Sequence, residues 1–164
     1  MKNGDTARAK DTSNTIGRVP ERCSEIMQAP VRWVSENDTV QTAARMMRDA
    51  DVGFVPVCRN GAVVGIVTDR DIATRACAED IVASVARVSE VMTHGAFACS
   101  PDSPVARAET LMREHRITRI VITDELSRPV GVVGLSDLAQ YEAPAKVGRT
   151  LQTVAQRKYA PERP

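Results

Sequence analysis

The sequence predicts an α/β (α+β) chain of two β-α-β-β-α repeats packed as a pseudo-two-fold pair, and three observations carry that prediction. One stretch occurs twice, as Gly65-Ile66-Val67-Thr68-Asp69-Arg70-Asp71-Ile72 and as Gly131-Val132-Val133-Gly134-Leu135-Ser136-Asp137-Leu138. Each reads as a short buried strand that ends in a polar turn and enters a helix with an aspartate in its first turn. The second observation is an offset. Ser24-Glu25-Ile26-Met27 returns 65 positions later as Ser89-Glu90-Val91-Met92, and the same offset carries Val40 to Val105, Met47 to Met112 and Val55 to Ile120. It grows to 66 between Gly65 and Gly131, so one residue is inserted within 123–129, in a hairpin loop where insertion is tolerated. The third is composition. Aromatic residues make up only 3% of the chain, leaving a core of Val, Ile, Leu, Ala and Met that suits small repeated α/β units better than a β-sandwich.

In chain order, residues 1–18 form a polar lead-in without periodicity and are expected to be disordered. The first repeat is assigned to 19–84, the second to 85–142, and 143–164 to a short helix and tail. In the first copy Val31-Arg32-Trp33-Val34 is an extended piece, and Asp38-Thr39-Val40-Gln41 reads as a helix start capped by Asp38. Val40, Ala43, Ala44 and Met47 follow on one helical face. The second copy starts its equivalent helix at Ser103-Pro104, with proline at the first helical position, and buries Val105, Ala108, Leu111 and Met112. A strand pair follows each helix: 53–57 and 62–67 around an Asn60-Gly61 turn, then 118–122 and 129–133 around a longer loop. Helices from 71 to about 78 and from 135 to about 142 close the copies. Beyond them Val147, Leu151 and Val154 share a face, which predicts a short amphipathic helix, and the tail past Tyr159 is expected to fray.

A formal charge of +1 gives no pull toward nucleic acid or a membrane surface, and no apolar run reaches the roughly 18 residues of a membrane span. The N-terminus lacks the hydrophobic centre of a signal peptide, so the expected location is the cytoplasm. Cys23, Cys58, Cys77 and Cys99 are far apart, and only His94 and His115 accompany them, which argues against zinc and for reduced, partly buried thiols. Asp69 and Asp71 would diverge at a helix start and make no metal site. No phosphate loop, nucleophile elbow or zinc-protease motif is present, so no catalysis is expected.

The order Ser24-Glu25-Ile26-Met27, short strand, capped helix, Gly53-Phe54-Val55-Pro56-Val57, Asn-Gly hairpin and Gly65-Ile66-Val67-Thr68-Asp69-Arg70-Asp71-Ile72 resembles a cystathionine-β-synthase (CBS) domain. Two in tandem resemble the CBS pair, or Bateman module, and the resemblance spans about 23–141. It implies a regulatory module with two pseudo-symmetric clefts for an adenine nucleotide: AMP, ADP, ATP or S-adenosylmethionine, with no covalent cofactor. A first-turn carboxylate can accept hydrogen bonds from ribose hydroxyls, while a hydroxyl and backbone N–H groups at the helix start can meet phosphate.

Carried onto this chain, the resemblance assigns Asp71, Thr68 and Arg70 to the first cleft, with Ile117, Thr118, Arg119 and Ala96 as its far wall. Asp137 and Ser136 serve the second, walled by Val52, Gly53, Phe54 and Val31. Gly134 replaces Thr68 there and Phe54 stands where Arg119 does, so the second cleft is expected to lack a hydroxyl and a nearby positive charge. A ligand-free reading stands beside this one: both aspartates and Thr68 can simply cap their helices. The resemblance further implies a homodimer that passes its ligand state to an effector protein. The alternative is a structural dimerisation or scaffold module without a physiological ligand.

Overall fold

A computed structural model describes residues 20–156. The expectations for 1–18 and for the tail past Tyr159 lie outside the described residues. The first copy runs from the one-turn helix α1 (Cys23–Ile26) through β1 (Val34–Ser35), α2 (Val40–Ala50), β2 (Phe54–Arg59) and β3 (Ala62–Thr68) to α3 (Asp69–Asp71). From α3 the chain continues as a π-helical turn, Ile72–Ala76, and a 3-10 turn, Cys77–Glu79. The second copy comprises α4 (Val88–Val91), β4 (Thr93–His94), β5 (Ala98–Cys99), α5 (Val105–His115), β6 (Arg119–Thr123), β7 (Pro129–Gly134) and α6 (Leu135–Tyr141), and α7 (Pro144–Ala155) closes the described chain.

Two sheets result, in the orders β1-β2-β3-β4 and β5-β6-β7. In each, a two-residue strand lies parallel to the first arm of an antiparallel hairpin. The first hairpin turns on Asn60 and Gly61 at φ of 52° and 82°, the left-handed pair that matches strand twist. The second turns on an Asp124 carboxylate that accepts the backbone N–H groups of Leu126 and Arg128, each at 2.9 Å. That loop absorbs the inserted residue.

Two local expectations are corrected. The cap of α2 is Thr39, whose Oγ1 accepts the Thr42 N–H at 3.1 Å, while Asp38 turns back to accept the Ser35 N–H at 2.8 Å. The helix starts at Val40, and only the residue just before it can reach the third helical amide. Pro104 likewise sits one position earlier than expected, at the cap of α5.

The two cores exchange their leading segments. Cys23 and Ile26 of α1 pack with Cys99, Met112, Ile120, Ile122 and Leu138 of the second copy. Val88, Val91 and Met92 pack with Val34, Val40, Met47, Val57 and Val67 of the first. The chain after each one-turn helix then pairs with the last strand of the other copy: Gln28 with Val132 across two backbone hydrogen bonds of 2.8 and 3.1 Å, and β4 with Gly65 and Ile66 of β3. Gln28 and Thr93 are separated by the 65-residue offset, so the exchange itself repeats. Apolar burial on both sides of each crossing binds the repeats together.

A buried ion cluster fixes α7. Glu109, only 3% exposed on α5, accepts the Thr150 hydroxyl at 2.6 Å and pairs with Arg113 at 3.0 Å and Lys146 at 3.1 Å. Burial alone would raise this carboxyl, but the Thr150 and Lys146 hydrogen bonds and the two cations hold it below its ordinary value of 4.5. The cluster sets the helix rotation. The expected Val147, Leu151 and Val154 stripe is therefore corrected: Thr150 and Val154 are buried, Val147 is half-buried, and Leu151 is 51% exposed.

Candidate functional site

The geometry of interest lies where β3 and β7 hand over to α3 and α6. Thr68 donates through its backbone N–H at 3.0 Å and its hydroxyl at 2.7 Å to Asp71 Oδ2, and accepts the Asp71 N–H at 3.1 Å. Asp71 Oδ1 faces the Arg75 guanidinium at 3.3 Å. In the second copy Gly134 N–H donates to Asp137 Oδ2 at 2.7 Å, and the Gln28 amide donates to Oδ1 at 2.8 Å. Both aspartates are buried, at 9% and 6% exposure, and both cap their helices. In each, Oδ2 is committed to the cap, while Oδ1 faces a side chain, Arg75 in the first copy and Gln28 in the second.

A cavity of about 430 Å³ opens at the first handover. It is bounded by Ile66 and Thr68 on β3, by 93–97 of the exchanged segment, by 116–119 at the entry to β6, and by Phe54. Of the residues assigned to the first cleft, Thr68, Ala96, Ile117, Thr118 and Arg119 meet here. Arg70 and Asp71 are not part of its lining; Arg70 is exposed on the first turn of α3 and Asp71 is turned into the cap. A second cavity, of about 510 Å³, gathers all six residues assigned to it: Val31, Val52, Gly53, Phe54, Ser136 and Asp137.

The cavities are copies of one another. The offsets carry Val31 to Ala96, Val52 to Ile117, Gly53 to Thr118 and Thr68 to Gly134, and each pair lines equivalent places. At the centre the rule gives one shared pair. Phe54 and Arg119 are offset equivalents, both line both cavities, and the Arg119 Cζ sits 5.9 Å from the Phe54 ring centroid. This corrects the expectation that the second cleft lacks a nearby positive charge, because Arg119 reaches it across the pseudo-two-fold axis and Arg32 adds a second guanidinium.

The sequence reading missed several lining groups. Phe97, stacked on His115 at 3.7 Å and 17° between planes, provides an aromatic surface at the first cavity, where the offset places Arg32 in the second. Arg116 and its counterpart Asp51 both take left-handed backbone at a helix end, φ 53° and 52°, and reverse the local charge between the cavities. Each lies one position beyond an assigned wall residue, Phe97 beside Ala96, Arg116 beside Ile117, Arg32 beside Val31 and Asp51 beside Val52, so widening each wall segment by one residue would have found them. Asp69 Oδ1 accepts the Arg70 N–H at 2.7 Å and is exposed, diverging from buried Asp71. Among the described residues no group of three or more His, Cys, Asp or Glu could hold a metal ion, and no helix is long and apolar enough to cross a membrane.

Two interlocked β-α-β-β-α copies with twinned clefts at their helix starts define a tandem-repeat module. A family model for the CBS domain matches residues 23–76 and 88–143, and the chain belongs to the CBS-domain family. The CBS domain-containing protein YhcV of Bacillus subtilis is 39% identical over 115 residues, covering 70% of this chain and 81% of that protein. Among solved structures, the CBS domain protein TA0289 from Thermoplasma acidophilum aligns with a TM-score of 0.72 at 25% identity, covering 83% of this chain and 77% of that one. The CBS domain pair of protein MJ0100, solved with 5′-methylthioadenosine and S-adenosyl-L-methionine, aligns with a TM-score of 0.66 at 25% identity, covering 74% and 95%.

Proposed function

We propose that this chain is a non-catalytic sensor of adenine nucleotides that works in the cytoplasm, dimerises, and conveys its ligand state to an effector protein. The observation that supports it most is the pair of cavities at the starts of α3 and α6, each beside a first-turn carboxylate and within reach of arginine. Such a place suits an adenosine: the apolar walls Ile66, Ala96 and Ile117 meet the base, the Asp71 Oδ1 edge meets the ribose, and Thr68 with Arg119 meets phosphate. Binding of adenosine compounds by the related MJ0100 pair favours the same ligand class here. AMP, ADP, ATP and S-adenosylmethionine are the candidates.

The test is calorimetric titration with these four ligands on the wild type and on Asp71→Ala. Saturable binding that weakens at least about tenfold in the variant supports the reading, since a charge-assisted hydrogen bond is at stake. A folded dimer that binds none of them would instead favour the scaffold reading, and the search would turn to protein partners.

A further inference from the structure

The internal offset gives most wall residues of one cleft a counterpart in the other, and one such pair differs in kind. Phe54 and Arg119 are counterparts of each other, yet they meet face to face and each borders both cavities. A true two-fold pair of clefts would carry two guanidinium groups or none at this position. This chain carries one. We propose that Arg119 is a shared cation that couples the two clefts, so that a phosphate-bearing ligand in one lowers the affinity of the other for a second phosphate-bearing ligand. The inference rests on the nucleotide-binding reading above and deepens it.

Arg119 is exposed and its ring contact is long, at 5.9 Å, so the guanidinium swings at little cost. The two cavities offer it different company. The first is bordered by Arg116 and Arg119 with no carboxylate in its lining, whereas the second sets Asp51 and Asp137 beside Arg32 and Arg119. A phosphate entering the first cleft draws Arg119 toward Thr68 and leaves the second with Arg32 facing two carboxylates. A phosphate there then meets a less favourable field. A ligand without phosphate has no such claim on the guanidinium, so its two binding events stay independent. Linkage requires reciprocity: a phosphate ligand seated first in the second cleft must weaken the first by the same factor.

The experiment compares AMP with adenosine. Ala96→Trp fills the first cleft and reports the intrinsic affinity of the second, and the wild type reports that affinity with the first occupied. The expected result is that AMP binds the second cleft about tenfold more weakly in the wild type than in Ala96→Trp, within the usual range of coupling between sites, while adenosine binds it equally in both. In Arg119→Ala, the gap between the two AMP binding steps contracts toward that of adenosine, a comparison that does not depend on the blocked variant folding. Equal AMP affinities in wild type and Ala96→Trp, or an AMP gap unchanged by Arg119→Ala, would overturn the shared cation and leave the nucleotide reading standing. Absence of binding by adenosine, AMP, ADP, ATP and S-adenosylmethionine to the folded wild type would overturn both.

Discussion

Gly65 and Gly131 are offset equivalents at the two crossings where one copy's leading segment pairs with the other's last strand, and a methyl group added at each should not cost the same. At Gly65 a Cβ would run into the Thr93 carbonyl oxygen and lie 3.3 Å from its carbon and 3.4 Å from His94 Cα. These are backbone atoms, pinned by the pairing of β3 with β4 and by a 2.9 Å hydrogen bond from Gly95 to Val64. At Gly131 the near atoms are Met27 Sδ at 2.6 Å and Cγ at 3.0 Å, in an unbranched thioether side chain, and the one backbone atom, the Gln28 carbonyl oxygen, lies farther off at 3.2 Å. That side chain can swing aside. Overpacking typically costs 1–3 kcal/mol, and displacing β4 adds about 1 kcal/mol for each lost hydrogen bond. Reduced freedom of the unfolded chain returns roughly 0.4–1 kcal/mol in both variants. The balance is about 2–4 kcal/mol for Gly65→Ala and about 1 kcal/mol or less for Gly131→Ala. Urea unfolding followed by circular dichroism measures both. A Gly131→Ala protein as unstable as Gly65→Ala would refute the reasoning, because it would mean the two crossings resist a methyl group equally.

Glu109→Ala should destabilise by about 2–3 kcal/mol, below the full cost of breaking a buried ion pair, because Arg113 and Lys146 are 39% and 36% exposed and regain water; thermal melts against wild type check it. The same carboxyl gives a pH dependence. Its folded value lies below its unfolded 4.5, so its stabilisation is complete above 4.5 and is lost as pH falls through the folded value; the wild-type advantage over Glu109→Ala in melts from pH 7 to 3 should shrink at the acid end. Gly61→Ala, at φ 82°, should cost about 1 kcal/mol with no steric contribution, as no atom lies within 4 Å of the added Cβ, and urea unfolding reads it. Maleimide should label one thiol quickly in the native protein, exposed Cys77, with Cys23, Cys58 and Cys99 reacting only on unfolding; mass spectrometry showing early label on Cys58, which burial raises to about 11, would contradict its packing.

Much of this architecture was legible because it rests on local signals. Asn60-Gly61 names its own turn, Val40, Ala43 and Met47 share a face by period alone, and the repeated strand-to-helix motif places the start of α6 at Leu135 and that of α3 within two residues, at Asp69 instead of Asp71. The second cleft was also legible in outline: its six assigned residues come from three separate segments and meet in one cavity. What failed to show is non-local or finely geometric. Nothing in Cys23–Ile26 says that it packs on the other copy, since its apolar pattern fits either core. Glu109 has the composition of a solvated helix face and is buried only because α7 folds over it, bringing Thr150 and Lys146. The choice between Asp38 and Thr39 as cap turns on a single residue of register. Arg119 could be assigned to one wall from sequence, but its service to both cavities depends on a long side chain standing at the pseudo-two-fold axis.

The central claim is a place: the cleft bordered by Thr68, Ala96 and 117–119 receives an adenosine ligand. A crystal structure of the protein grown at saturating AMP tests it most directly. The account predicts AMP in that cleft, its ribose toward Asp71 and its phosphate between Thr68 and Arg119. AMP ordered elsewhere on the surface, or both clefts empty at saturating ligand, would contradict it.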